Sequence, residues 1–220
     1  MQLRNLALAL AAIPLAGCGI ADIRIGHGVQ GTGSVKTESR SVSGFTKVEI
    51  NRAIQATIAV DGKELVEVKA SESLLPIVST KVENGVLIVD TTKDYSTSAP
   101  IEAIIHCKSL ADLQVNGASH AEISGVDANE IKLEATGASK IELSGNVSAV
   151  NVEASGASTV DITGATMDNL FAEANGASTI KAGAIQSLEA NASGASNISY
   201  KGDPKIIQKD ATGASKITKL

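Results

Sequence analysis

Six serines, Ser119, Ser139, Ser158, Ser178, Ser196 and Ser215, each close a Gly-Ala-Ser tripeptide that begins at Gly117, Gly137, Gly156, Gly176, Gly194 or Gly213. A serine beside a histidine and a carboxylate would be a nucleophile, and His27, His106 and His120 are the chain's histidines. The serines recur through the chain, however, while His120 accompanies one of them. The histidines also lack metal-ligand spacing, so no zinc site is implied. Carboxylates that could serve as a glycosidase or lyase pair occur as periodic columns, Glu122, Glu142 and Asp161 in one and Glu134, Glu153 and Glu173 in another. Stacked carboxylates would repel, which a divalent cation could relieve. Side chains splayed into water would relieve it equally, and no Asp/Gly nonapeptide of the calcium-binding β-roll type is present. Cys107 reads as a small apolar residue, although its neighbours His106 and Lys108 are of the kind that activate a thiol. No catalytic residue, metal ligand or cofactor follows from these patterns.

What the tripeptides do define is a beat, since successive copies are spaced by 20, 19, 20, 18 and 19 residues. A near-fixed period of this length marks a solenoid, in which one supersecondary unit stacks on copies of itself. With the serines in one column, Ala121, Ile141, Val160, Ile180, Ile198 and Ile217 stand two positions later. Val115, Ala135, Ala154, Ala174, Ala192 and Ala211 stand four positions earlier. Side chains alternate along a strand, so the serines share the inward parity of these apolar columns. Each glycine falls at a corner between two strands, where positive φ or close backbone approach is needed. The stacked hydroxyls can donate to the next coil and accept from the previous one or from backbone. The fold class expected is all-β, a β-solenoid with about 19 residues per coil over 110–220, on the order of 29 Å long at strand spacing. Lys209 and Lys219 interrupt inward columns in the final coil, where charge would block edge-to-edge pairing.

Residues 35–109 alternate with period two, as in Val48 and Ile50, Ile58 and Val60, or Val66 and Val68, and read as an N-terminal strand region capping the solenoid. Asn84-Gly85 is a hairpin turn signal. Thr91 to Pro100 is polar and reads as a protruding loop. Phe171 falls in an outward column as an exposed aromatic. Residues 18–34, with Gly26, Gly28, Gly31 and Gly33, read as a flexible tether without the Gly-Lys-Ser/Thr of a phosphate loop. Before it, Arg4, an apolar run from Leu6 to Leu15 and the ending Leu15-Ala16-Gly17-Cys18 form an export signal over 1–17, too short to span a bilayer. That ending is similar to the lipobox of bacterial lipoproteins. The similarity implies acylation of Cys18, membrane attachment through it and, with Gly19 rather than Asp following, delivery to the outer membrane. A net charge of -5, two Tyr, two Phe and no Trp exclude the basic, aromatic surfaces of nucleic-acid binders.

Three stretches taken in order, Ser43-Gly44-Phe45-Thr46-Lys47-Val48-Glu49-Ile50, then Lys81 to Val89 around Asn84-Gly85, then the Gly-Ala-Ser coils, resemble the bacterial family called putative auto-transporter adhesin head GIN domain. The resemblance covers residues 38 to 220. It implies a right-handed parallel β-solenoid (β-helix) in an exported, often lipid-anchored protein, with no established enzymatic activity and no catalytic residues to carry over. The function expected is that of a non-enzymatic envelope lipoprotein presenting a binding or adhesion surface to a protein or polysaccharide partner. A polysaccharide-active β-helix enzyme and an inward-facing periplasmic scaffold are the alternatives.

Overall fold

The computed structural model describes residues 28–220. Its repeated coils stack in parallel register, so that residues 131–135, 150–154, 170–174, 188–192 and 207–211 form one ladder. Residues 140–142, 159–161, 179–181, 197–199 and 216–218 form a second. Between the two lies the Gly-Ala-Ser corner, with φ at its six glycines between 73° and 82°. A third, shorter face pairs 126–128 with 145–147 and then with 165–167.

The uneven repeat length has a definite location. Residue offsets between coils change at bulges between Ile123 and Val126 and between Glu142 and Ser144. These lie at the corner that follows the second ladder, so insertions are absorbed there and the Gly-Ala-Ser edge keeps its register.

Packing follows parity. Ala121, Ile141, Val160, Ile180 and Ile198 are completely buried, while Phe171 stands outward between Asn151 and Glu189 and is 48% exposed. In the last coil Lys209 lies over the Tyr200 ring, 4.5 Å from its centre, and bonds the Tyr200 hydroxyl. Lys219 pairs with Asp203. Both inward-column lysines thus turn their charges to polar partners, as amphipathic side chains do.

The parallel stack begins well before the first Gly-Ala-Ser, and not in chain order. Lys47–Ile50 pairs with Asp112–Val115 on one side and Val86–Thr91 on the other. Gln55–Val60 likewise lies between 120–124 and Glu102–Cys107. The coil made by 47–60 is therefore sandwiched between two coils that both follow it in sequence. Three antiparallel strands finish this end, with Val78–Glu83 on Val86–Thr91, Leu65–Ser71 on Glu102–Cys107, and Val35–Arg40 outermost on Leu65–Ser71. Lys36, Glu38 and Arg40 on that outer strand discourage further pairing. Asn84 and Gly85 turn the hairpin with φ of 50° and 78°.

One expectation needs correcting. The stretch from Gly28 to Ser34, assigned above to a tether, is held to the body. Val29–Gln30 pairs in parallel with Tyr95–Ser96, and the Thr32 and Ser34 carbonyls accept from Ser73 and Glu72. Its glycines serve close approach rather than flexibility, since a Cβ on Gly28 would lie 2.8 Å from the Asp94 carbonyl carbon. Cys18 and His27 lie outside the described residues.

Candidate functional site

The Gly-Ala-Ser serines are where a repeated catalytic motif would be, and the fold turns them inward. Ser119, Ser139, Ser158, Ser178 and Ser196 are at most 2% exposed, and Ser215 is half-buried. Where they bond, they do so to backbone of the preceding coil and of their own, and not from hydroxyl to hydroxyl. Ser158 Oγ donates toward the Ala135 and Ser155 carbonyls at 3.1 and 2.9 Å, and Ser178, Ser196 and Ser215 repeat the pattern on Ala154, Ala174 and Ala192. A carbonyl with two lone pairs can take this bond as well as its ladder N–H. The Ser119 and Ser139 hydroxyls have no partner among the described residues.

Parity also separates the nucleophile candidates from the histidines. His120 follows Ser119 in the chain, points outward, and meets Glu142 at 3.3 Å. His106 bonds Asp61 at 2.9 Å, while Cys107 turns inward and is 1% exposed. Burial, with help from nearby Asp61 and Glu64, pushes the Cys107 thiol up to about 11, which keeps it protonated and unreactive at neutral pH. Among the described residues neither a Ser/His nor a Cys/His pair is assembled.

In the acidic columns, lysines separate the carboxylates. Lys132 bridges Glu134 and Glu153 at 3.5 and 3.0 Å. Lys140 holds Glu142 at 2.7 Å and, as the main cause, lowers its pKa. Among the described residues no group of three His, Cys, Asp or Glu side chains is placed to hold a metal ion.

The departure from regularity lies at the N-terminal end of the Gly-Ala-Ser edge. Registered pairing puts Asn51-Arg52-Ala53-Ile54 in the columns of Asn116-Gly117-Ala118-Ser119, and the Asn116 amide bonds Asn51 Oδ1 at 2.9 Å. Arg52 takes the corner glycine's left-handed backbone without being glycine, at φ 56°, and Ala53 adds a second positive φ of 60° that the Gly-Ala-Ser alanines lack. Each costs on the order of 1–3 kcal/mol, which the surroundings must offset. They do so directly, because the Tyr95 hydroxyl bonds the Arg52 and Ala53 carbonyls at 2.7 and 3.2 Å. The guanidinium is fixed by Asp90 at 2.9 Å and Asp94 at 3.4 Å. In the next coil outward the same corner is expanded into residues 91–100. Between that loop and the strained corner opens a groove of about 780 Å³. Thr91 lines it, 3% exposed, with an Oγ1 that has no partner among the described residues.

The sequence reading singled out the loop but missed Arg52 and Ala53. A signal was available, since Val48-x-Ile50-Asn51-x-Ala53-x-x-Ala56-x-Ile58 matches Leu113-x-Val115-Asn116-x-Ala118-x-x-Ala121-x-Ile123. The missing glycine and serine concealed it.

Fold and site together define a capped parallel β-solenoid with structural serines and an irregular groove at one corner. The chain belongs to the family described as putative auto-transporter adhesin, head GIN domain, whose model matches residues 44–204. It shares its fold with a putative adhesin from Bacteroides fragilis, at 17% identity and TM-score 0.69, over 88% of this chain and 100% of that one. A putative lipid binding protein from Parabacteroides distasonis aligns at 20% identity and TM-score 0.61, over 87% and 99%. A putative adhesin from the same organism aligns at 17% identity and TM-score 0.56, over 87% and 99%. No curated protein matches the chain significantly. No helix among the described residues is long and apolar enough to cross a membrane.

Proposed function

We propose that this chain is a non-enzymatic, lipid-anchored protein of the cell envelope that engages a protein or polysaccharide partner at its irregular N-terminal corner. The observation that carries the reading is the corner itself. Every Gly-Ala-Ser copy has glycine where the backbone is left-handed, yet Arg52 holds that conformation and Ala53 adds a second positive φ, beside a groove. Strain of this kind clusters at functional positions because the surrounding structure must over-determine it. The anchor rests on the lipobox ending at Cys18, and the adhesin-like family supports an envelope setting.

Two measurements test this. The Cys18→Ala chain is expected to leave the membrane fraction, and its retention there would remove the anchor from the proposal. Cells carrying the chain are expected to adhere to a surface coated with extract of their own envelope, and to lose that adherence in Asp94→Ala. Adherence indifferent to Asp94 would remove the contact site.

A further inference from the structure

We infer that the groove between the Arg52 corner and the 91–100 loop is a binding site for an uncharged polyhydroxylated ligand, a short segment of neutral glycan. The inference rests on the contact site proposed above and adds the chemistry of what binds there.

Charge balance excludes the commoner alternatives. Among the described residues, Arg52 and Asp94 are the charged ones lining the groove, and they pair with each other. Arg52 is further neutralised by Asp90, so an anionic ligand would have to displace a carboxylate from a guanidinium already bonded twice. A cation would compete with that same guanidinium for Asp94. Burial raises the Tyr95 pKa, which leaves its phenol neutral.

What the groove offers is unused hydrogen-bonding capacity beside apolar surface. The side chains of Gln55, Ser96 and Ser98 line it and make no intramolecular hydrogen bond among the described residues. The Asp94 carboxylate is 86% exposed, with its oxygens free on the side away from Arg52. Pro100 supplies exposed apolar surface, with the fully buried Ile101 packed behind it. Sugar rings present this combination, hydroxyls around the edge and C–H surface on the faces. A carboxylate accepting from vicinal hydroxyls, with an amide and hydroxyls beside it, is the matching donor and acceptor set. At about 780 Å³ the groove falls within the roughly 300–1,000 Å³ range of small-molecule sites. The strained corner keeps these groups in place before binding, which limits the ordering cost of association.

The test presents the full chain, extracted in mild detergent, to an array of neutral gluco-, manno-, xylo- and chito-oligosaccharides. A second panel carries sulfated and uronic-acid glycans. Retention of a neutral glycan is expected, weakened about tenfold or more in Asp94→Ala through the loss of a charged hydrogen-bond acceptor. Phe171→Ala, on a distant face, should leave it unchanged. Should Asp94→Ala fail to fold by circular dichroism, the Gln55→Ala, Ser96→Ala double variant takes its place with the same expectation. Retention confined to the charged panel, or no retention, overturns the glycan assignment. Neutral binding unaltered by the groove variants overturns its location. Loss of cell adherence in Asp94→Ala without any glycan binding would sink the ligand class alone and leave the contact site standing.

Discussion

Alanine placed at two glycines of the same column should have unequal costs. Gly117 and Gly156 have nearly the same φ, 79° and 77°, so the intrinsic penalty of the left-handed region, roughly 1–2 kcal/mol, applies equally to both. Their surroundings differ. A Cβ on Gly117 would meet Arg52 N at 3.6 Å, an ordinary contact, whereas one on Gly156 would sit 2.5 Å from the Gly137 carbonyl oxygen. That oxygen accepts the Ala157 N–H at 2.7 Å, so relief of the clash must spread two coils or lengthen the bond between them. Overpacking of this kind adds about 1–3 kcal/mol. Gly117→Ala should therefore cost about 1–2 kcal/mol and Gly156→Ala about 2–5 kcal/mol. For a chain of this size, roughly 2–4 °C of melting temperature corresponds to each kcal/mol. Thermal unfolding followed by far-ultraviolet circular dichroism reads the difference. Equal shifts in the two variants would refute the reasoning, because φ alone would then explain both.

Other predictions follow from the buried columns and the N-terminal end. Ser158→Ala should cost about 0.5–1.5 kcal/mol by chemical denaturation and leave adherence intact. The cost is modest because the Ala135 carbonyl keeps its bond from Ser155 N. The Cys107 thiol, buried with its pKa raised to about 11, should react with a disulfide reagent at neutral pH only as fast as the chain opens; rapid labelling of native protein would contradict its placement. Asp61 is lowered to about 2 from 3.8, chiefly by its hydrogen bond to His106. A depressed carboxylate stabilises the fold above the ordinary value and loses that contribution as pH falls through the folded one. The melting-temperature advantage of the parent chain over Asp61→Asn should hold above about pH 4 and shrink toward pH 2; an advantage independent of pH would contradict the pairing.

The coils from Leu113 onward are legible in sequence because parity, glycine and small inward residues agree at every layer, as with Ala135, Gly137, Ser139 and Ile141. The N-terminal end is less so, for reasons of physics rather than composition. Period-two alternation identifies Val48, Ile50 and Ile58 as strand residues but carries no information about which strand lies beside them. Placement of 47–60 between 86–107 and 112–124 depends on long-range pairing. At Arg52 a residue normally excluded from left-handed backbone is held there by Asp90, Asp94 and Tyr95, contacts that no local pattern reveals. Gly28 is similar, since its spacing suits a tether while its use is to touch Asp94.

The inward serines and the strained corner make opposite demands on function, and one comparison tests both. Adherence of cells carrying the chain should be measured for Ser158→Ala and Asp94→Ala side by side, at matched levels of protein in the membrane fraction. The account predicts that Ser158→Ala adheres as the parent does and that Asp94→Ala does not. Loss in Ser158→Ala with full adherence in Asp94→Ala would contradict it, and would return function to the Gly-Ala-Ser edge.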